Sequence, residues 1–368
     1  MQKELLFNVL DDETKRRIVD PQNPNSYYNS YVGNDKAVKR LSRAAFAALG
    51  RKNHLCNDQY FALIGPASTG KTTLAKLHSK VVGLPFVEIQ PQAIRKTHDI
   101  FEQISKVCEA FANGAVKLQE SGKKNRYILP PMIVFIDEVH ALSNKVVQGL
   151  LKATEHADCQ LVTESGYEID TKNVCWIIAT TDRGLLFDAF DTRFEKLTLN
   201  LYSKAEVSKI INKGFPELDN KICNMIAQYN GNIPREALSF ARESILTKDM
   251  DECSWESAIK TVAGERDIDE FGMTAQRVNA IAALGQRPLP ANQLARIVGC
   301  KEEELRKFIM APLVCVTPDQ PEPLVLVASG VGYYITNSGF KELDKRNIEH
   351  NGVMALPKFL RENAFLTA

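Results

Sequence analysis

Between about residues 27 and 199, short apolar runs alternate with longer stretches whose apolar positions recur at helical spacing. The runs at 60–64, 85–89, 132–136, 174–179 and 196–200 have the length of buried strands. This alternation predicts an α/β domain, a parallel sheet covered by helices. Within it, residues 158–172 carry two alternating arms around Ser165-Gly166, which predicts an inserted hairpin. From about 201 to 265 the pattern is wholly helical, with breaks at Gly214-Phe215-Pro216 and at Gly231-Asn232-Ile233-Pro234, so a small helical domain is expected. Residues 270–345 then predict helices at 273–284, 290–297 and 301–310, followed by strands at 313–316, 324–328 and 332–336. Three helices and a ribbon suggest a winged helix, whose third helix follows Gly299-Cys300 as in a helix-turn-helix. The first residues read as a polar extension ending in the turn-rich stretch 20–25, and the tail from 346 carries little pattern. The expected domains run 1–26, 27–199, 200–268, 269–345 and 346–368.

Composition narrows the class without naming a function. A chain of 368 residues suffices for two or three domains, and 44% hydrophobic with 25% charged residues is ordinary for a globular protein. A net charge of +1 gives no global field that would draw in nucleic acid, so any such contact must be local. No apolar stretch reaches the roughly 18 residues that would signal a membrane-spanning helix. The start lacks the basic-then-apolar layout of a signal peptide. The eight cysteines are scattered without a Cys-x-x-Cys pair, and the six histidines form no ligand cluster. They read as reduced thiols of a cytoplasmic protein, not as a disulfide framework or a zinc site.

The sharpest chemical signal is Gly65-Pro66-Ala67-Ser68-Thr69-Gly70-Lys71-Thr72, set between the 60–64 strand and a helical stretch that begins with Thr73. Strand, glycine-bounded loop and Lys-Thr at a helix start make a phosphate-binding loop. Its backbone N–H groups and the helix N-terminus face the phosphate oxygens. Lys71 reaches the β- and γ-phosphates, and the Thr72 hydroxyl ligates Mg²⁺. A second motif supports the first: the 132–136 run ends in Asp137-Glu138, the pattern of a Walker B strand. Asp137 would hold Mg²⁺, largely through water. Glu138 would orient and polarise the attacking water. ATP and Mg²⁺ are therefore the expected substrate and cofactor.

With these elements placed, the chain resembles AAA+ ATPases, and among them the RuvB-type motors of Holliday-junction branch migration, across about residues 28–345. Tyr31-Val32-Gly33, followed by Lys36 and Val38, resembles the family segment that lies against the adenine. Ala179-Thr180-Thr181, then Gly184-Leu185-Leu186, then Asp191-Thr192-Arg193-Phe194, follow the family's run in order. The resemblance implies a sensor 1 at Thr181 and an arginine finger at Arg193 that enters the neighbouring subunit's site. It also implies an adenine-side tyrosine at Tyr202 and a sensor 2 at Pro234-Arg235. A finger acting in trans requires a homo-oligomeric ring, for this family a hexamer. Such fingers are worth about 10³–10⁵ in rate.

The chain also departs from the family. The stretch Val316-Thr317-Pro318-Asp319-Gln320-Pro321-Glu322-Pro323 is acidic where the family's wing is basic. The 158–172 hairpin carries Glu164, Glu168 and Asp170 in place of a glycine-rich pattern that engages the adaptor RuvA, and His140-Ala141 replaces His-Arg after Walker B. DNA contact then falls on a few local candidates. Lys301, Arg306 and Lys307 lie on the third winged-helix helix, which they share with Glu302-Glu303-Glu304. Arg95-Lys96 occupy the loop after the 85–89 strand, which in AAA+ rings faces the pore. Lys123, Lys124 and Arg126 form another basic cluster. The expected function is an ATP-hydrolysing translocase or helicase on duplex or four-way-junction DNA, acting in recombination and repair. The alternatives are a loader or remodelling ATPase, or a nucleotide-gated scaffold that recruits a protein partner through the winged helix.

Overall fold

The computed structural model describes residues 11–49, 60–110, 119–120, 126–155, 158–181, 190, 192–230, 232–328 and 332–351. The chain divides into two compact units, Met1–Leu199 and Asn200–Ala368.

The first unit is built on a five-stranded parallel sheet of order β2-β5-β8-β1-β9. Its strands are β1 (Phe61–Ile64), β2 (Phe86–Ile89), β5 (Met132–Ile136), β8 (Val174–Thr180) and β9 (Glu195–Thr198). β1, β5 and β8 are buried along their whole length, as expected of parallel strands covered on both faces. The pleat divides their side chains between two cores. Ala62, Val134, Ile136, Trp176 and Ile178 enter one, with α4 (Thr97–Ala110) and α5 (Asn144–Ala153). Phe61, Leu63, Ile133, Phe135, Cys175 and Ile177 enter the other, with α2 (Asp35–Leu49) and α3 (Lys71–Val82). Each fully buried valine, leucine, isoleucine or phenylalanine among them stabilises by about 1.5–3 kcal/mol. β5 lies between β2 and β8, and β8 between β5 and β1. The loops after β1, β5 and β8 therefore meet at one end of the sheet.

A second sheet, of order β3-β4-β7-β6, flanks this domain: β3 (Gln119–Glu120), β4 (Arg126–Ile128), β6 (Gln160–Val162) and β7 (Glu168–Asp170). The hairpin expected at 158–172 is its β6–β7 pair, antiparallel with Leu161 opposite Ile169. The parallel pairing of β4 with β7 was not legible from the sequence, because β4 is only three residues long. Arg126, grouped above with a basic cluster, is a strand residue ion-paired with Glu168. Lys123 and Lys124 lie outside the described residues.

The N-terminal extension requires a correction. Asp12–Val19 is a helix, α1, capped by the Asp11 carboxylate, which accepts from the Thr14 amide at 2.9 Å. Val19 joins the core beside α2, so polarity hid a helix with one apolar edge.

The second unit begins with helices Lys204–Gly214, Asn220–Gln228, Pro234–Met250 and Trp255–Glu265 around a core of their own. Ser203 and Glu206 form a capping box at the first of them. Beyond the two expected breaks the chain also turns before Trp255, at Asp251–Cys253, with Glu252 at φ 47°, and Ser254 caps the next helix. Helices Ala275–Gln286 and Ala291–Val298 follow, then a helix that runs as Glu302–Glu304, a π-helical Leu305–Met310 and Ala311–Val314. The strand expected at 313–316 is thus the end of this helix. Its apolar run Leu313-Val314 packs into the core on one side, which periodicity over so few residues does not distinguish from a strand. The ribbon is β10 (Val325–Ala328) paired antiparallel with β11 (Gly332–Ile335), and a further helix, Asn337–Asp344, closes the unit.

The acidic stretch 316–323 is not the ribbon's tip. It enters β10 and is tied back, with Asp319 accepting from the Lys204 amide at 2.6 Å and Glu322 from the Ser338 hydroxyl at 2.5 Å. Residues 329–331, between β10 and β11, lie outside the described residues. The tail beyond 351 and residues 1–10 also lie outside them.

Candidate active site

The phosphate loop leaves β1 at Gly65, whose amide donates to the Thr180 carbonyl of β8 at 3.2 Å. A Cβ at this position would lie 2.2 Å from the Leu199 carbonyl oxygen. Glycine is therefore required here by close backbone approach. Gly65→Ala is expected to destabilise the chain by about 1–3 kcal/mol, read as a lower midpoint in urea unfolding. An unchanged midpoint would mean that the Leu199 backbone yields freely. Pro66, Ala67, Ser68 and Thr69 complete the loop; Ser68 has φ 63°, and Thr69 donates to the Pro66 carbonyl at 2.9 Å. Gly70, at φ 83°, is the N-cap of α3 and has no side chain to occupy the helix end. The first amides of α3, from Lys71, Thr72 and Thr73, are left for an anion.

Lys71 is buried, and its ammonium donates to the Gly65 and Pro66 carbonyls at 2.7 and 2.9 Å. Burial lowers its pKa, opposed by the charges of Glu138 and Asp137. Those carboxylates leave the end of β5. The Thr72 hydroxyl donates to Asp137 Oδ2 at 3.3 Å. Burial and the neighbouring Glu138 charge raise the Asp137 pKa, against the opposing pull of Lys71, the Glu138 amide that donates to the carboxylate, and Thr72. An anionic site under-neutralised by one lysine suits a divalent cation. Among the described residues no cluster of three or more His, Cys, Asp or Glu could hold a metal. One carboxylate and one hydroxyl fit an ion that keeps most of its waters and takes phosphate oxygens.

Glu138 has φ 47°, an uncommon conformation for a non-glycine residue. Its Oε2 accepts from the Thr181 amide at 3.1 Å and the Thr181 hydroxyl at 3.0 Å. Thr181 follows β8, the strand paired with β5, so sheet order brings these two candidates together. His140 joins them: its Nδ1 lies 2.9 Å from the Thr180 hydroxyl and 3.4 Å from Glu138 Oε2. The sequence showed His140 only as part of a departure; its chemistry appears with the sheet pairing.

Tyr31 also meets the loop, its hydroxyl donating to the Thr69 carbonyl at 2.8 Å. Val32 and Gly33 follow, with Gly33 at φ 72°. Arg193 is anchored by Phe194, which is buried against Tyr60 and Phe190. Its guanidinium pairs with Glu155 of the same chain at 2.9 Å. Glu155 stands just after α5, and its carbonyl accepts from the Cys159 amide at the hairpin base. Gly184-Leu185-Leu186 and Asp191 lie outside the described residues.

Two site candidates belong to the second unit. Tyr202 is 3% exposed within the helical core. Pro234 and Arg235 open the helix Pro234–Met250, with Arg235 exposed. A cation in the first turn opposes the helix dipole, so helix stability does not account for it.

The Arg95-Lys96 loop is held by carboxylates that the sequence did not flag. Asp99 Oδ2 accepts from the amides of Arg95 and Lys96 at 2.7 and 2.9 Å. Glu164, from the hairpin turn, accepts from the Thr97 and His98 amides, both at 3.3 Å, and from the Thr97 hydroxyl at 2.8 Å. The donors at the start of α4 are thereby satisfied, and the exposed Arg95 and Lys96 side chains project from a fixed frame. Burial alone would raise the Glu164 pKa, but the backbone bonds and Thr97 outweigh it and hold it at about 2. Glu164→Gln is expected to speed amide hydrogen exchange at Thr97 and His98 by about three- to tenfold. Exchange unchanged at both would show that the hairpin does not hold the loop.

On the helix that begins at Glu302, Arg306 pairs with Glu302 at 2.6 Å and Lys307 with Glu303 at 2.8 Å. Lys301 is the N-cap residue. Three of the residues proposed for DNA thus sit among glutamates that offset their charge.

Residues 61–200 match the model of the AAA family, ATPases associated with various cellular activities. The chain is 26% identical to the RuvB subunit of the Holliday junction branch migration complex of Rickettsia africae, over 75% of this chain and 74% of that protein. It is 25% identical to the RuvB subunit of Campylobacter jejuni strain RM1221, over 81% of this chain and 85% of that one. Among solved structures, the Thermotoga maritima RuvB Holliday junction branch migration motor superposes with a TM-score of 0.64 at 20% identity, covering 85% of this chain and 95% of that one. That likeness supports the fold. Residues 61–200 are thus an AAA ATPase domain, and over most of its length the chain is distantly related to the RuvB branch-migration subunits.

Proposed function

We propose that this chain is an ATP-driven translocase on duplex or four-way-junction DNA, working as a homo-oligomeric ring. The observation that carries the reading is the convergence of Lys71, Thr72, Asp137, Glu138 and Thr181 at one end of the parallel sheet. Lys71 would leave the Gly65 and Pro66 carbonyls for the β- and γ-phosphates. The first amides of α3 would bind phosphate oxygens. Thr72 and Asp137 would hold Mg²⁺, which supplies charge neutralisation at the phosphates when bound. Glu138, exchanging Thr181 for the attacking water, would orient that water toward the γ-phosphorus. Arg193, exchanging Glu155 for a neighbouring subunit's γ-phosphate, would stabilise charge in transfer. Tyr31-Val32-Gly33, Tyr202 and Pro234-Arg235 keep their assigned roles around adenine and phosphate as part of the proposal. Arg95 and Lys96 would track the DNA backbone.

A second reading is favoured by one observation. Arg306 and Lys307 are paired with glutamates, which suits a winged helix that recruits protein. Steady-state ATP hydrolysis separates the two, measured without DNA, with linear duplex and with a four-way junction, at low and moderate salt. A DNA motor is stimulated, and the stimulation fades with salt because phosphate contacts release counterions. Hydrolysis indifferent to every DNA would move the assignment to protein remodelling or recruitment.

A further inference from the structure

A crevice of about 560 Å³ opens in the second unit, lined by Arg277, Lys204 and Lys341 together with apolar Phe271, Leu313 and Leu324. Arg277 is 6% exposed, and its Nε has no hydrogen-bond partner. Its Nη2 makes two long contacts, 3.2 Å to the Phe308 carbonyl and 3.4 Å to Glu236 Oε1. The first has a local cause. Pro312 has no N–H to give the carbonyl four residues back, so the Phe308 oxygen is available to the arginine. A guanidinium carries five donors and stays charged, so burying it with so few partners is costly unless an anion completes the set.

The surrounding charges point the same way. The exposed Lys204 ammonium donates to the Gln228 carbonyl at 3.3 Å. Of the facing acids, Glu342 is already paired with Lys345 and Arg346. Asp319 accepts from the Lys204 amide, and Glu270 is exposed. Glu236 pairs with Arg277, whereas the Lys204 and Lys341 ammonium groups form no ion pair among the described residues and are left for a ligand.

We propose that this crevice binds a phosphate-type oxyanion, held by the Arg277 guanidinium and the Lys204 and Lys341 ammonium groups. Arg277 gives the planar donor edge that oxyanions match, and the lysines add flexible charge. The crevice is larger than a bare phosphate, and its apolar wall suits the body that carries one. That body is either a small phosphorylated molecule or a nucleic-acid backbone. The site is separate in sequence from the phosphate loop and does not depend on the ATPase reading.

The test uses the full chain carrying Lys71→Ala, which disables the phosphate loop. Inorganic phosphate, at ionic strength held constant with chloride, and a short duplex DNA are each titrated calorimetrically. Arg277→Gln should abolish phosphate binding, but Arg277 is buried and its loss can unfold the region. The decisive variant is therefore Lys204→Gln with Lys341→Gln, both at exposed positions. It should weaken binding by about tenfold or more, the usual cost of losing hydrogen bonds to a charged group. Weaker phosphate binding with unchanged duplex affinity assigns the site to a small ligand. A parallel loss of duplex affinity assigns it to a DNA phosphate. If the lysine replacements change neither affinity, the proposal is overturned.

Discussion

Glu138→Gln is expected to lower steady-state ATP turnover by about 10²–10⁴-fold, the usual contribution of a positioned general base, with nucleotide affinity retained. The glutamine keeps the shape and one acceptor oxygen, so the Thr181 amide and hydroxyl, now 3.1 and 3.0 Å from Oε2, still have a partner. What is lost is the negative charge that would draw a proton from water. The same change removes a like charge beside Asp137, whose pKa burial and Glu138 together raise. Thermal stability should therefore hold or rise slightly. Turnover that stays within threefold of the parent would show that Glu138 is not the water-activating group. A loss of turnover accompanied by a lower melting temperature would mean that the substitution damaged the fold, not the chemistry.

Arg193→Ala should retain ATP binding and lose about 10³–10⁵ in turnover, the range for a missing arginine finger. Removing its pair with Glu155, a partly exposed contact, should cost no more than about 1 kcal/mol of stability. The diagnostic step is mixing. Protein carrying Lys71→Ala has a disabled phosphate loop but an intact Arg193. Protein carrying Arg193→Ala has an intact loop. A mixed ring places some intact loops beside intact fingers, so turnover should exceed that of either variant alone. If no mixing ratio raises turnover, Arg193 does not act on a neighbour's nucleotide, and its pair with Glu155 is its working contact. Glu155 links α5, which follows Asp137-Glu138, to the base of the hairpin. Exchange of Arg193 between Glu155 and a phosphate would thus be felt at both.

Two local codes made much of this chain legible in advance. The alternation of apolar runs and helical spacing marked all five strands of the large parallel sheet to within a residue or two at their ends. The motifs at 65–72 and 137–138 marked the loops at one end of it. Both codes are short-range: a buried parallel strand must be apolar throughout, and a phosphate loop must have glycine where the backbone turns or approaches another chain segment. The weaker expectations lay where the local signal was short or polar. α1 was hidden because only a narrow edge of it is buried. The end of the helix at Ala311–Val314 read as a strand because four residues carry too little periodicity.

The sequence by itself determined the α/β class, the nucleotide-binding motifs and the residue types available at the site. The tertiary structure decided which of those residues meet. Thr181 holds Glu138, and His140 joins them through Thr180, because β8 lies beside β5 in the sheet, although more than 40 residues separate their ends. Arg193 faces Glu155, and the hairpin's Glu164 caps the helix behind Arg95 and Lys96, because chain segments remote in sequence share one end or one flank of the domain. Arg306 and Lys307, which look like DNA ligands in sequence, are offset by glutamates one helical turn away. Arg277, unremarked in the sequence, becomes a buried cation with an unused donor. The physical reason is common to all of these. Backbone conformation and burial are set largely by neighbours along the chain, whereas hydrogen bonds and charge pairs depend on distances that only packing fixes.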